Sequence, residues 1–183
     1  MEVENIIEGC KRKNRRAEKS LFKIFSPSVL SICLRYSIDN AQAKDYLQEC
    51  FIHIFQKIDK YDKDRGAFKP WMHRLCVNKI LEIKRKNKPS IEFSTNHFPD
   101  YPVSEDDFDY LSETELLTAI RKLPDGYRNV LNLFVFENLS HADIARLLEI
   151  SESSSRSQYS RAKTLLKKIL IQSIPNIHEK RLA

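Results

Sequence analysis

Apolar residues recur along most of this chain at intervals of three and four, the spacing that lays a stripe along one face of a helix. In residues 41–58, Leu47, Phe51, Ile54 and Ile58 keep that interval, while Asp45, Gln48, Glu49 and Ile52 fall on the opposite face. Residues 21–35 predict a second helix with Leu21, Phe22, Phe25, Val29, Ile32 and Cys33 inward, kinked or split at Pro27. The polar run 61–66 interrupts as a loop. Pro70 suits the first turn of a helix reaching about Lys86, because its missing N–H is not needed there. Further on, Leu116, Leu117, Ile120 and Leu123 predict a helix that stops at Pro124-Asp125-Gly126, and Tyr127, Val130, Leu131 and Phe134 predict another. Ser140 with Asp143 begins a third by a capping box, and Ser151 with Glu152 caps a fourth running to about Ile171. No convincing alternating strand pattern interrupts this series. The fold class is all-α.

Charge divides the chain in three. Residues 1–88 carry net +9, residues 89–115 net −8 and residues 116–183 net +5, within an overall +6 and a pI near 9.1. The middle stretch sets Pro89, Pro99 and Pro102 among acids, Ser and Asn, a composition that cannot bury a core. Two small basic helical domains, 1–88 and 116–183, joined by an acidic flexible linker, 89–115, are expected. A positive field favours polyanions, with nucleic acid first among them.

Composition also excludes. Only Gly9, Gly66 and Gly126 are present, too few for a glycine-rich phosphate cradle. Cys10, Cys33, Cys50 and Cys76 form no C-x-x-C pair and read as reduced, mostly buried small hydrophobes. The five histidines lack metal-ligand spacing, and the serines lack a G-x-S-x-G context, so neither a metal, a cofactor nor a catalytic group is expected. Acids at the start of the chain and no long apolar run point to a cytoplasmic protein.

The segment from His141 to about Lys163 is a short helix, a three-residue turn at Glu149-Ile150-Ser151 and a longer basic helix, the layout of a helix-turn-helix. Ala145 lets the helices cross closely. Ser155, Tyr159, Ala162, Leu166 and Ile169 fall on one face of the second helix. Ser153, Ser157, Ser160, Arg161 and Thr164 fall on the other, flanked by Arg156 and Lys163. Short hydroxyls beside cations suit a helix in a major groove; an ordinary helical hairpin with a solvated face is the bland alternative. In the helix after Pro70, Trp71, Arg74, Asn78 and Arg85 line a stripe apart from Phe68, Met72, Leu75, Cys76 and Ile83. Such interleaving suits single-stranded nucleic acid, although Trp71 equally fits a core and the runs 11–13 and 84–86 equally fit solvated charge.

Asp45-Tyr46-Leu47-Gln48-Glu49-Cys50-Phe51, followed by residues 68–78, resembles the second region of the extracytoplasmic-function (ECF) sigma factors of bacterial RNA polymerase. Leu123-Pro124 together with residues 140–162 resembles their fourth region, in the family's order. The resemblance implies that Asp45, Gln48, Glu49 and Ile52 dock on the clamp of the largest polymerase subunit. It implies that Asp62, Lys63, Asp64, Arg65, Arg74, Asn78 and Arg85 melt and read the −10 promoter element as a single strand. Ser153, Ser154, Arg156, Ser157, Ser160 and Arg161 would read the −35 element in the duplex. It also implies an anti-sigma partner, often membrane-bound in the family, and a linker whose acids imitate RNA charge in the exit path. The chain departs from the family at three points. Glu149 stands where Gly is common, so a differently shaped turn is expected; Ser155 stands for Val, so weaker inward packing is expected; Gln158 stands at a position often basic. The rival readings are a conventional helix-turn-helix regulator binding a palindrome as a dimer, and a helical adaptor that binds polymerase without reading DNA.

Overall fold

A computed structural model of the chain describes residues 2–87 and 112–173. These belong to two compact units, Met1–Glu92 and Phe93–Ala183, each considered by itself. All described regular structure is helical, as the periodicity requires. Most of the expected acidic linker, residues 89–111, lies outside the described residues.

The first unit contains α1 (Glu2–Lys11), α2 (Arg15–Tyr36), α3 (Asn40–Lys57) and α4 (Phe68–Lys86), with 3-10 turns at Ile58–Lys60 and Lys63–Arg65. The starts of α2 and α3 are chemically marked. The Asn14 side chain accepts from the Arg16 and Ala17 amides, and Asp39 accepts from the Gln42 amide, satisfying donors that a helix start leaves free. Helix α2 packs on α3 and α4, and α3 packs on α4. Leu21, Val29, Ile32 and Cys33 meet Ala43, Tyr46, Cys50, Phe51 and Ile54 from α3 and Met72, Cys76, Val77 and Ile80 from α4 in the buried set. All four cysteines are buried and free.

Four features differ from the sequence expectation. Helix α1 was not anticipated; its Ile7 and Cys10 are buried against a neighbour that periodicity within ten residues does not reveal. Helix α2 runs unbroken through Pro27, which is exposed, so the missing N–H removes a single bond on the solvent side. Phe22 is 42% exposed rather than inward, its ring lying 4.5 Å from that of Phe51 at the edge of the core. Lys84, read as solvated charge, is only 6% exposed and donates to the Tyr36 carbonyl at 2.8 Å. It thereby covers a carbonyl at the end of α2 and sets a cation at the negative end of that helix.

The second unit contains α5 (Glu113–Arg121), α6 (Asp125–Val135), α7 (His141–Leu148) and α8 (Glu152–Ser173). Helix α8 packs on α5, α6 and α7. Ile120, Leu123, Tyr127, Leu131 and Ala162 form its core, with Leu116, Leu166 and Ile169 packed on them. The helical part begins at Glu113 rather than residue 116. Ser112 and Glu115 make a reciprocal capping box, so two acids counted with the linker occupy a first turn, where the helix dipole favours them.

Candidate nucleic-acid interface

Local sequence signals build the helix-turn-helix. The Ser140 hydroxyl accepts from the Asp143 amide at 3.1 Å and donates to its carboxylate, which holds that carboxyl below its ordinary range. Helix α7 ends at Glu149 in the left-handed region, φ 58° and ψ 43°, and the Ile150 amide reaches back to the Ala145 carbonyl at 3.0 Å. The turn thus has the left-handed shape that Gly usually supplies, reached here by a residue with a Cβ at a cost of about 1–2 kcal/mol. The expected change of turn shape is absent. Ser151 then accepts from the Ser154 amide at 3.0 Å and opens α8.

The expected weakness at position 155 is also absent, because the serine is not left without a partner. Ser155 is fully buried, and its hydroxyl shares a hydrogen bond of 2.9 Å with Nδ1 of His141. The His141 ring stacks on Phe134 at 4.6 Å, and Phe134 lies 4.4 Å from Tyr159. A polar bond inside an aromatic collar thus joins α7 to α8. Burial holds His141 below the ordinary imidazole range, and the nearby Arg156 guanidinium adds to the effect. Sequence reasoning missed this residue, since a histidine at the start of a helix carries no distinguishing signal.

On α8, Ser153, Arg156, Ser157, Ser160 and Arg161 are exposed, whereas Gln158 is buried on the inner side. Ser154 does not belong to this face: it is half-buried, with its hydroxyl accepting from Ser151 at 2.7 Å as part of the helix start. Arg156 is paired with Glu152 one turn earlier. Lys163 lies 5.0 Å above the Tyr159 ring. The result is a convex strip of small hydroxyls bordered by two guanidinium groups, able to approach phosphates and base edges without moving the core.

In the first unit the loop before α4 is ordered by its own side chains. Asp62 accepts from the Asp64 amide at 3.0 Å, and the Tyr61 hydroxyl donates to the Gly66 carbonyl at 3.0 Å. Gly66 has φ 143°, a conformation open to glycine and strained for other residues. Lys63, Asp64 and Arg65 are thereby held outward. Arg74, Asn78 and Arg85 are exposed at spacings of four and seven, one stripe about 16 Å long on α4. Trp71 is half-buried, with ring centroids 5.4 Å from Tyr61 and 5.5 Å from Phe68, so it packs the base of the loop.

A third surface lies on α3. Asp45, Gln48 and Ile52 are exposed in line, and Ile52 is 43% exposed. Glu49 is set apart from them: half-buried, with its carboxylate 3.4 Å from Lys79 of α4. The outward face is therefore narrower than the spacing suggested.

The family model for Sigma-70 region 2 matches residues 21–89, and that for Sigma-70 region 4 matches residues 113–166. RNA polymerase sigma factor SigZ of Bacillus subtilis is 30% identical over 137 residues, spanning 72% of this chain and 74% of that protein. ECF RNA polymerase sigma factor SigW of Bacillus subtilis is 26% identical over 183 residues, spanning 93% and 97%. Among solved structures, the sigma factor RpoE in complex with the anti-sigma factor NepR from Bartonella quintana shares this fold. Its TM-score is 0.51 at 17% identity, covering 83% of this chain and 95% of that one.

Proposed function

The chain belongs to the ECF sigma factors of RNA polymerase, which direct the core enzyme to promoters, and from that premise we propose how its two units divide the work. The unit of residues 1–88 docks on the polymerase clamp through Asp45, Gln48 and Ile52 of α3. Its ordered loop Lys63–Arg65 and the α4 stripe of Arg74, Asn78 and Arg85 receive the separated −10 strand. The unit built from α5 to α8 reads the −35 duplex with Ser153, Arg156, Ser157, Ser160 and Arg161. The acidic stretch between α4 and α5 tethers the two. The protein contributes binding and strand separation, while nucleotide chemistry belongs to the core enzyme. An anti-sigma antagonist, membrane-bound in many such systems, is the partner that would hold it inactive.

One observation carries this reading: a helix-turn-helix with an outward hydroxyl and guanidinium face follows, in the family's order, a unit that presents a cationic stripe. The exposure of those faces is what binding needs, and it is not what core packing needs.

The test is reconstitution. Purified protein with core polymerase should initiate at a specific start site, and neither component should do so alone. Asp45→Ala with Gln48→Ala should weaken core binding in a pull-down while helix content stays unchanged; these positions avoid Glu49, whose loss would also break its contact with Lys79. Asn78→Ala should lower permanganate reactivity of −10 thymines with core binding intact. Unaided binding to a palindrome as a dimer would instead identify a conventional regulator.

A further inference from the structure

The α1–α2 turn carries charge that none of these roles uses. Arg12, Lys13, Arg15, Arg16, Lys19 and Lys23 are all exposed, and none forms a salt bridge among the described residues. The neighbouring Lys11 is satisfied locally by Glu8 at 2.9 Å. On α2, Arg16, Lys19 and Lys23 recur at three and four, so they share one outer face and span about 10 Å along the axis. That length matches about three phosphates of one DNA strand at 3.4 Å each.

The turn presenting these cations is closed by short contacts. Helices α1 and α2 touch so closely that a Cβ on Gly9 would lie 2.6 Å from the Ala17 Cβ. The Asn14 side chain closes the turn on Arg16 and Ala17, and the Asn14 backbone N–H donates to the Gly9 carbonyl at 3.0 Å. Lys13 sits at φ 56°, where glycine would be free of strain. A cation is held at a backbone position that disfavours it.

Helix α1 packs on the 3-10 turn Ile58–Lys60, which leads directly into the loop before α4. In keeping with that adjacency, Lys63 adds to Lys11 and Arg12 in holding the Glu8 carboxyl below its ordinary range. The adjacency selects the ligand: a polyanion that already meets Lys63.

We propose that the α1–α2 turn and the outer face of α2, through Arg12, Arg16, Lys19 and Lys23, form a second phosphate track. It continues the −10 loop along the backbone of the same promoter DNA and contributes affinity without base preference. This rests on the assignment of Lys63–Arg65 to the −10 element. Each neutralised phosphate releases counterions, so the track should be visible as salt dependence.

The experiment compares native holoenzyme with holoenzyme carrying R12A, R16A and K19A together, Ala preserving helix propensity on α2. Promoter affinity is measured against salt concentration on a duplex promoter and on a forked one with the −10 strand unpaired. If the three cations touch duplex phosphates, the log–log slope should fall by about 2.7; if they touch single-strand phosphates, by about 2.1. Base preference at −10 and −35 and core affinity should not change. R12K with R16K should keep the native slope. An unaltered slope in the triple variant would overturn the track, as would loss of core affinity, which would make the turn a polymerase contact. Binding of native but not variant protein to phosphatidylglycerol vesicles, with no change of promoter slope, would overturn it in favour of a membrane surface. K63A with R65A on the same templates separates the two levels. If that pair loses opening while the native and triple-variant slopes agree, only the track fails; if it opens the −10 region like the native protein, the underlying assignment fails with it.

Discussion

Ser155 is a hydroxyl with no access to water, and such a group is tolerated because His141 completes its hydrogen bond. Ser155→Ala leaves the imidazole without that partner and should lower the stability of the second unit by about 1 kcal/mol, read by denaturant titration. Burial lowers the His141 pKa, so the unfolded chain binds the proton more readily than the native one. Stability from this site is therefore full above about pH 6.5 and declines as pH falls through that value. His141→Asn should flatten the decline in melting temperature between pH 7 and pH 5; an unchanged slope would show that another group sets it. Two departures from the family pattern visible in the sequence, Glu149 and Ser155, thus have different resolutions. Glu149 adopts the left-handed conformation itself, whereas Ser155 depends on a residue fourteen positions away.

At the scale of elements, caps and periodicity account for most of what forms. Ser112, Ser140 and Ser151 each start a helix through a side-chain oxygen, and the apolar stripes of α3, α6 and α8 turn inward. Helix α1 is different, since it is defined by how closely it meets α2. Gly9→Ala should force the two helices apart and cost about 1–3 kcal/mol, because a close-packed contact has no room for another methyl. The pair Gly9→Ala with Ala17→Gly should recover part of that loss, as judged by a double-mutant cycle in thermal unfolding. Failure of the second change to help would mean that the strain lies in the turn rather than at the contact. Lys84 teaches the same lesson about charge. Three consecutive cations at a helix end look equally solvated in sequence, but Lys84 is buried and meets the end of α2, whereas Arg85 and Lys86 are exposed.

For the whole molecule, function lies in surfaces that the two cores leave outward. On α8, Arg161 is exposed and forms no salt bridge among the described residues, whereas Arg156 must leave Glu152 to reach a base. Arg161→Ala should weaken all promoters alike and reduce the salt slope by about 0.9, while Arg156→Ala should cost about 1–3 kcal/mol at one −35 base and relax preference there. Transcription from a library randomised across −35 at several salt concentrations measures both; identical profiles for the two variants would remove the division of roles. The all-helical class, the helix-turn-helix and the outward strip of Ser153, Ser157, Ser160 and Arg161 were legible in the sequence, because helix period and capping act within a few residues. The same local logic marked Arg74 and Asn78 as one stripe. Tertiary structure alone decided that Trp71 packs beneath the loop, that Glu49 turns toward Lys79, that Ser154 belongs to a cap and that His141 completes Ser155. Each of those outcomes depends on which side chain another element brings within a few ångströms, and spacing along one helix contains no record of its neighbour.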